Sequence, residues 1–214
     1  MSWHDLDWLD VEVWEYQTAL NDLVREAYLA AHSVLERTFA AREKWYEEEM
    51  ATVKDEGNVE AAQQQLEFAE MRWHEQRQAL AAMALALLAS VNKSFLDGVK
   101  RLFDKTHASS PNGYPGRNQL QKQAAEYAAR FDVDLEQIAG FESIREVELA
   151  RHCCLHNEGK LTDDYSQQTK QRFVGEDGKI NLTPTVLDGL LLDLVGFSKE
   201  LFTRMKAIRA KPVQ

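Results

Sequence analysis

The chain has 214 residues, 44% of them apolar and 28% charged, which is the profile of a soluble globular protein with enough chain for a proper core. No run of about 18 apolar residues is evident, and the N-terminus opens on acidic and aromatic residues, so neither a membrane span nor a secretory leader is expected. The net charge of −10 is uneven: residues 1–70 carry 17 acids and 5 bases, a balance of −12, and residues 71–214 carry 18 acids and 20 bases, a balance of +2. The first part should repel nucleic acid and the rest would tolerate it, so net charge argues neither for nor against an RNA substrate.

From Leu6 the apolar positions recur at three and four (Leu6, Leu9, Val13, Tyr16, Leu20, Leu23, Ala27), with a second stripe at Val24, Tyr28, Ala31, Leu35 and Phe39. This predicts a helix with a broad buried side, capped by Ser2 and running to about residue 56, where Gly57-Asn58 offers a turn. A second helix over 59–105 takes Leu66, Trp73, Leu80, Ala84, Leu87, Val91, Phe95 and Leu102 as its seam; its alanine-rich stretch, 79–91, reads as buried helix. Together they predict a long antiparallel hairpin over 1–105. All five tryptophans, Trp3, Trp8, Trp14, Trp45 and Trp73, fall there and read as packing residues rather than base-stacking ones. His4, His32, His74 and His107 are scattered and read as surface or core residues. A loop over 107–116, rich in Ser, Pro, Asn and Gly, separates the hairpin from 117–214, with one domain expected across both parts.

A shorter helix is predicted over 118–131. Asp132 or Asp134 then caps a helix with Leu135, Ile138, Phe141, Ile144, Val147 and Leu155 as core positions, stopping at Gly159. The chain is irregular to about residue 164, and a helical turn falls within 163–171. Arg172-Phe173-Val174 and Lys179-Ile180-Asn181-Leu182 flank a Gly-Glu-Asp-Gly turn, a small β-hairpin near 172–182. Thr183 caps and Pro184 opens a last helix to about residue 208, with Val186, Leu190, Leu194, Phe197, Leu201 and Met205 facing in. The fold class is all-α.

Arg151, His152 and His156 fall within six residues at the end of the helix that stops at Gly159. Phosphodiester chemistry needs those groups: a fixed cation for phosphate, and an imidazole that exchanges protons near neutral pH. The same residues suit a helix C-cap, because cations there oppose the dipole and bond the last carbonyls. A transition-metal site is the sharpest rival. Glu148, His152 and His156 step by four along one face with Cys153 and Cys154 near, although the glutamate is not placed as in H-E-x-x-H. Cys154 as a nucleophile fits less well, since His156 two positions on points elsewhere. The adjacent cysteines close only a strained ring, so reduced, non-catalytic thiols in a reducing cytoplasm are expected.

The run Arg151-His152-Cys153-Cys154-Leu155-His156 resembles the signature of the HEPN superfamily: an arginine, a polar residue, three free positions and a histidine. Asn157-Glu158-Gly159 continues the likeness, and the helices before it and the closing helix from Thr183 fit; the diagnostic residues lie within 142–160. The resemblance implies an all-α HEPN-like bundle acting as a metal-independent endoribonuclease with no cofactor. Arg151 would face the phosphate and His156 would be the catalytic histidine, with His152 and Asn157 binding or orienting the RNA phosphate. It further implies a cytoplasmic homodimer that joins two motif helices about a two-fold axis, a toxin–antitoxin or defence role with a separate antitoxin protein, and no membrane partner. Two rival readings stay open: a non-catalytic module of the same fold that binds nucleotide or protein, and a helical scaffold.

Overall fold

One row of aromatic and aliphatic side chains, Tyr16, Leu20, Val24 and Tyr28, sets the path of the first helix; all four are buried. Steps of four drift by about 40° each around a helix of 3.6 residues per turn, so on a regular α-helix the row would leave the core face. The chain solves this with a change of winding. Helix α1 (Trp8–Thr18) passes into a π-helical segment (Ala19–Glu26) and then into α2 (Ala27–Thr52). The i→i+5 bonding of the π segment takes more residues per turn and keeps the row aligned. Leu23 and Ala27, expected in the core on an α-helical period, face solvent as a result.

The computed structural model describes residues 8–52, 56–103, 113–175 and 177–209. The remaining elements are α3 (Glu56–Phe103), α4 (Gln119–Phe131), a 3₁₀ turn (Leu135–Gln137), α5 (Phe141–His156), α6 (Asp163–Gln168) and α7 (Pro184–Arg209). The proposed Ser2 cap, Trp3, His4, His107 and most of the 107–116 loop lie outside the described residues.

Helix α3 runs antiparallel to α1 and α2, because its contacts descend in number as theirs rise. Tyr16 donates to Asn92 Oδ1 at 2.6 Å and stacks on Phe95, Arg77 reaches Glu36 at 3.8 Å, and Phe39 stacks on Trp73. Gly57 and Asn58 lie within the first turn of α3 rather than between the helices. Of the expected seam, Ala84 and Phe95 are buried and Leu87 is exposed; the buried row also takes Leu85, Leu88, Leu96 and Val99. An 18-residue window of this helix has mean hydropathy 1.6, enough by length and composition for a membrane span, and 44% of that window is buried inside the protein.

Asn118 caps α4, its side chain accepting from the Gln121 amide at 2.9 Å. Asp132 does not cap the motif helix: it ends α4 in the left-handed region at φ 55°. Asp134 caps the 3₁₀ turn instead. Buried Glu126 pins α4 to α3, accepting from Lys100 at 2.7 Å, and Tyr127 donates to the Leu96 carbonyl at 2.7 Å. Helix α7 lies antiparallel along the first helix through Gln17–Ser198, Arg25–Asp188 and Lys206–Asp10. Leu190, Leu194, Phe197, Leu201 and Met205 are fully buried on it, Val186 is half-buried, and Thr183 Oγ1 accepts from the Val186 amide. Near 172–182 there are isolated bridges, Val174 with Ile180 and Lys179 with Lys160, and no strand is formed among the described residues.

Helix α5 meets α7 at Gly140, which has φ 89°. A Cβ there would collide with the Asp193 carbonyl and approach Phe197 Cβ to 3.0 Å. Gly178, at φ 70°, has open space around it. We expect Gly140→Ala to cost about 2–4 kcal/mol, left-handed strain plus overpacking, and Gly178→Ala about 1–2 kcal/mol from strain alone. Urea unfolding midpoints compare the two; equal losses would mean that α5 and α7 do not meet closely at Gly140.

Candidate nucleic-acid-facing helix end

Helix α5 buries Phe141, Ser143, Ile144, Glu146, Val147, Ala150 and Cys153. Glu146 is a carboxylate on this buried stripe, where an unpaired charge would be costly. It is fully provided for. Arg172 donates to it through the backbone N–H at 2.7 Å and through Nε at 2.8 Å, and the Tyr165 hydroxyl donates at 3.2 Å. The rest of the Arg172 guanidinium reaches Asp193 on α7 and the Ser143 hydroxyl, at 2.7 and 2.8 Å. Burial and the neighbouring Glu146 carboxylate push the Tyr165 hydroxyl well above its ordinary range, so it stays a donor.

This network fixes the segment that follows the motif. The end of α5 is closed by backbone alone: the Cys153 carbonyl accepts from the Asn157 and Gly159 amides, both at 3.0 Å. Glu158 and Gly159 take left-handed φ values of 53° and 78°, which suits glycine at the second. The Gly159 carbonyl then accepts from Ile180 at 2.8 Å, tying the helix end to the 174–180 turn. Asn157 serves this turn, its side-chain amide donating to the Lys160 carbonyl at 2.9 Å.

The other motif residues stand on the surface. His152 and His156 are exposed, with ring centroids 4.8 Å apart, and among the described residues neither imidazole has a hydrogen-bond partner. Arg151 is partly exposed and paired with Glu148 at 3.0 Å, an (i, i+3) contact on the same helix. Five steps on an α-helix turn the direction by roughly 140°, so Arg151 and His156 project to different sides. The helix end therefore groups the two histidines and sets the arginine apart. Leu155, expected in the core, is 52% exposed beside them. Cys153 is buried with its Sγ 3.6 Å from Thr162 Oγ1. Burial, then Cys153, pushes the Cys154 thiol up to about 11, so it is not a ready nucleophile. Among the described residues no three His, Cys, Asp or Glu side chains are arranged to hold a metal ion.

A cleft of about 460 Å³ lies against α5 at Leu149, two turns before its end; a cleft of about 700 Å³ lies between α2 and α3, away from the motif. Glu146 and Arg172 were not singled out in the sequence. The available signal was a carboxylate in register with Ser143, Ala150 and Cys153, which demands a buried cation. Comparison with family models, with curated proteins and with solved structures finds no match.

Two measurements check this geometry. Arg172→Ala should cost about 3–5 kcal/mol by leaving Glu146 buried and unpaired. Arg151→Ala should cost under about 1 kcal/mol, since only a solvent-screened pair is lost. Equal destabilisation in urea titrations would make Arg151 a structural residue. With a pKa near 11, only roughly one Cys154 thiol in a thousand is ionised at pH 8, so iodoacetamide should label the folded protein far more slowly than the urea-unfolded one. Labelling at equal rates would contradict the burial described.

Proposed function

We propose that this protein is a HEPN-like, metal-independent endoribonuclease whose site is the exposed end of α5. The observation that carries the reading is the pair of solvent-facing imidazoles, His152 and His156, 4.8 Å apart and without hydrogen-bond partners among the described residues, on a helix end held by a buried ion-pair network. The His156 imidazole suits proton transfer at the ribose 2′-hydroxyl or the leaving 5′-oxygen, and His152 beside it binds or orients the phosphate. Arg151 supplies the cation for the phosphorane, exchanging Glu148 for phosphate. Because Arg151 projects away from His156 on its own helix, the complete site takes two motif helices, one from each protomer of a homodimer. The further extension, a cytoplasmic role in toxin–antitoxin or defence biology with a separate antitoxin, rests on the motif resemblance alone.

One observation favours a second reading. Arg151 already has a carboxylate partner, and that suits a non-catalytic HEPN-like module that binds nucleotide or protein at the same surface.

Purified protein incubated with total RNA in EDTA decides between them. Cleavage should persist, leave 2′,3′-cyclic phosphate and 5′-hydroxyl ends, and spare DNA, which lacks the attacking hydroxyl. His156→Ala and Arg151→Ala should each slow it by about two or more orders of magnitude, and His152→Ala by less. Loss in EDTA with rescue by added metal would overturn the mechanism, and a folded dimer inert on all RNA would leave the binding module.

A further inference from the structure

We infer that the cleft at Leu149, on the same stripe of α5 as the histidine pair, holds the base adjoining the scissile phosphate, and that Asp164 selects guanine there; this rests on the nucleolytic reading above. The cleft, about 460 Å³, is walled by Arg117, Asn118 and Gln121 at the start of α4 and by Asp164 and Gln168 of α6, with Leu149 of α5 between them. Leu149, His152 and His156 stand at i, i+3 and i+7, one stripe of α5, and neighbours three apart have Cβ atoms about 5–6 Å apart. Helical side chains lean toward the N-terminus, the direction that runs from His152 to Leu149. The first turn of α6 is held against the same stretch of α5, since its cap, Thr162, touches both the Tyr165 amide and Cys153 Sγ.

The lining chemistry suits a base more than a phosphate. A carboxylate in the wall repels an anion, and side-chain amides present donors and acceptors to a base edge. Asp164 is exposed, and among the described residues its side chain accepts one hydrogen bond, from Gln168 Nε2 at 3.1 Å, which a ligand can replace. A carboxylate only accepts, and its two oxygens match the adjacent N1–H and N2–H donors of guanine. Adenine, cytosine and uracil offer no such adjacent pair on their Watson–Crick edges. Gln121 Oε1 is taken by the Arg117 amide at 2.7 Å, which leaves its NH₂ as a donor for a guanine acceptor. The Arg117 guanidinium is exposed and has no ion pair among the described residues, and it is placed for the neighbouring phosphate whatever the base.

The test uses the full chain and fluorescent RNA decamers, 2′-O-methylated throughout to block cleavage: all uridine, or uridine with one central G, A or C. Anisotropy should show the G decamer binding about tenfold tighter than the others. Asp164→Asn should erase that margin without weakening all-uridine binding, since it removes a charge that repels RNA, while Arg117→Ala should weaken every decamer alike. Circular dichroism establishes that both variants fold. Equal binding of all decamers, preference for another base, or a G preference that survives Asp164→Asn would each overturn the inference, as would no binding at all. Unmodified RNA incubated with the same preparation judges the nucleolytic reading separately. Guanine preference lost in Asp164→Asn but without cleavage would keep the inference and remove the enzyme; cleavage without base preference would do the reverse.

Discussion

The buried carboxylate of Glu146 dictates how the second half of the chain is laid out. A charge at 2% exposure cannot stay unpaired, and the cation that answers it, Arg172, comes 26 residues later. The chain between must leave the end of α5 and come back to its side. Helix α6 and the turn after it do this, and Tyr165 is buried on the way as a second donor to the same carboxylate. Arg172 then reaches Asp193, so α7 is drawn into the same cluster. The motif therefore sits on a surface that is open to solvent yet fixed from beneath. A site whose groups must be held within fractions of an ångström gains from such support.

Helical geometry limits what one copy of that surface can do. Side chains four apart share a face, and His152 and His156 do; side chains five apart do not, and Arg151 and His156 are the consequence. A second α5 end related by a two-fold axis would bring an arginine toward the first copy's histidines. The exposed Leu155 lies among these residues and offers apolar contact where two such ends would meet. The angular step of an α-helix thus separates Arg151 from His156 within one copy, and the proposed homodimer is one arrangement that would reunite them.

Local signals in the sequence reached the elements whose boundaries are set locally. Asn118 and Thr183 cap as their chemistry predicts, and the α7 core positions follow a regular period because nothing disturbs that helix. Where a distant partner decides, the sequence was silent or misleading. Val24 and Tyr28 of the second expected stripe are buried, but the π segment turns Leu23 and Ala27 of the first stripe to solvent, and only packing against α3 and α7 rewards that winding. Asp132 resembled an N-cap and is a left-handed C-cap, since both uses favour a short polar side chain next to a helix end. At the site, the motif residues were legible as a group, but their division into a histidine pair and a separate arginine needed the helix itself.

The capping explanation of the motif and the functional one make different demands on the same atoms. A cap needs His156 or Arg151 to satisfy the last carbonyls of α5. The backbone has already met part of that need, through the two amides that converge on the Cys153 carbonyl and through the left-handed turn at Glu158 and Gly159. Arg151 turns to Glu148, and the two imidazoles turn to each other. Holding two exposed imidazole rings side by side in water adds little to folding. A scaffold gains nothing from that arrangement. A surface that meets a ligand does, and this contrast between small structural worth and chemical use is the physical argument for a function at the end of α5.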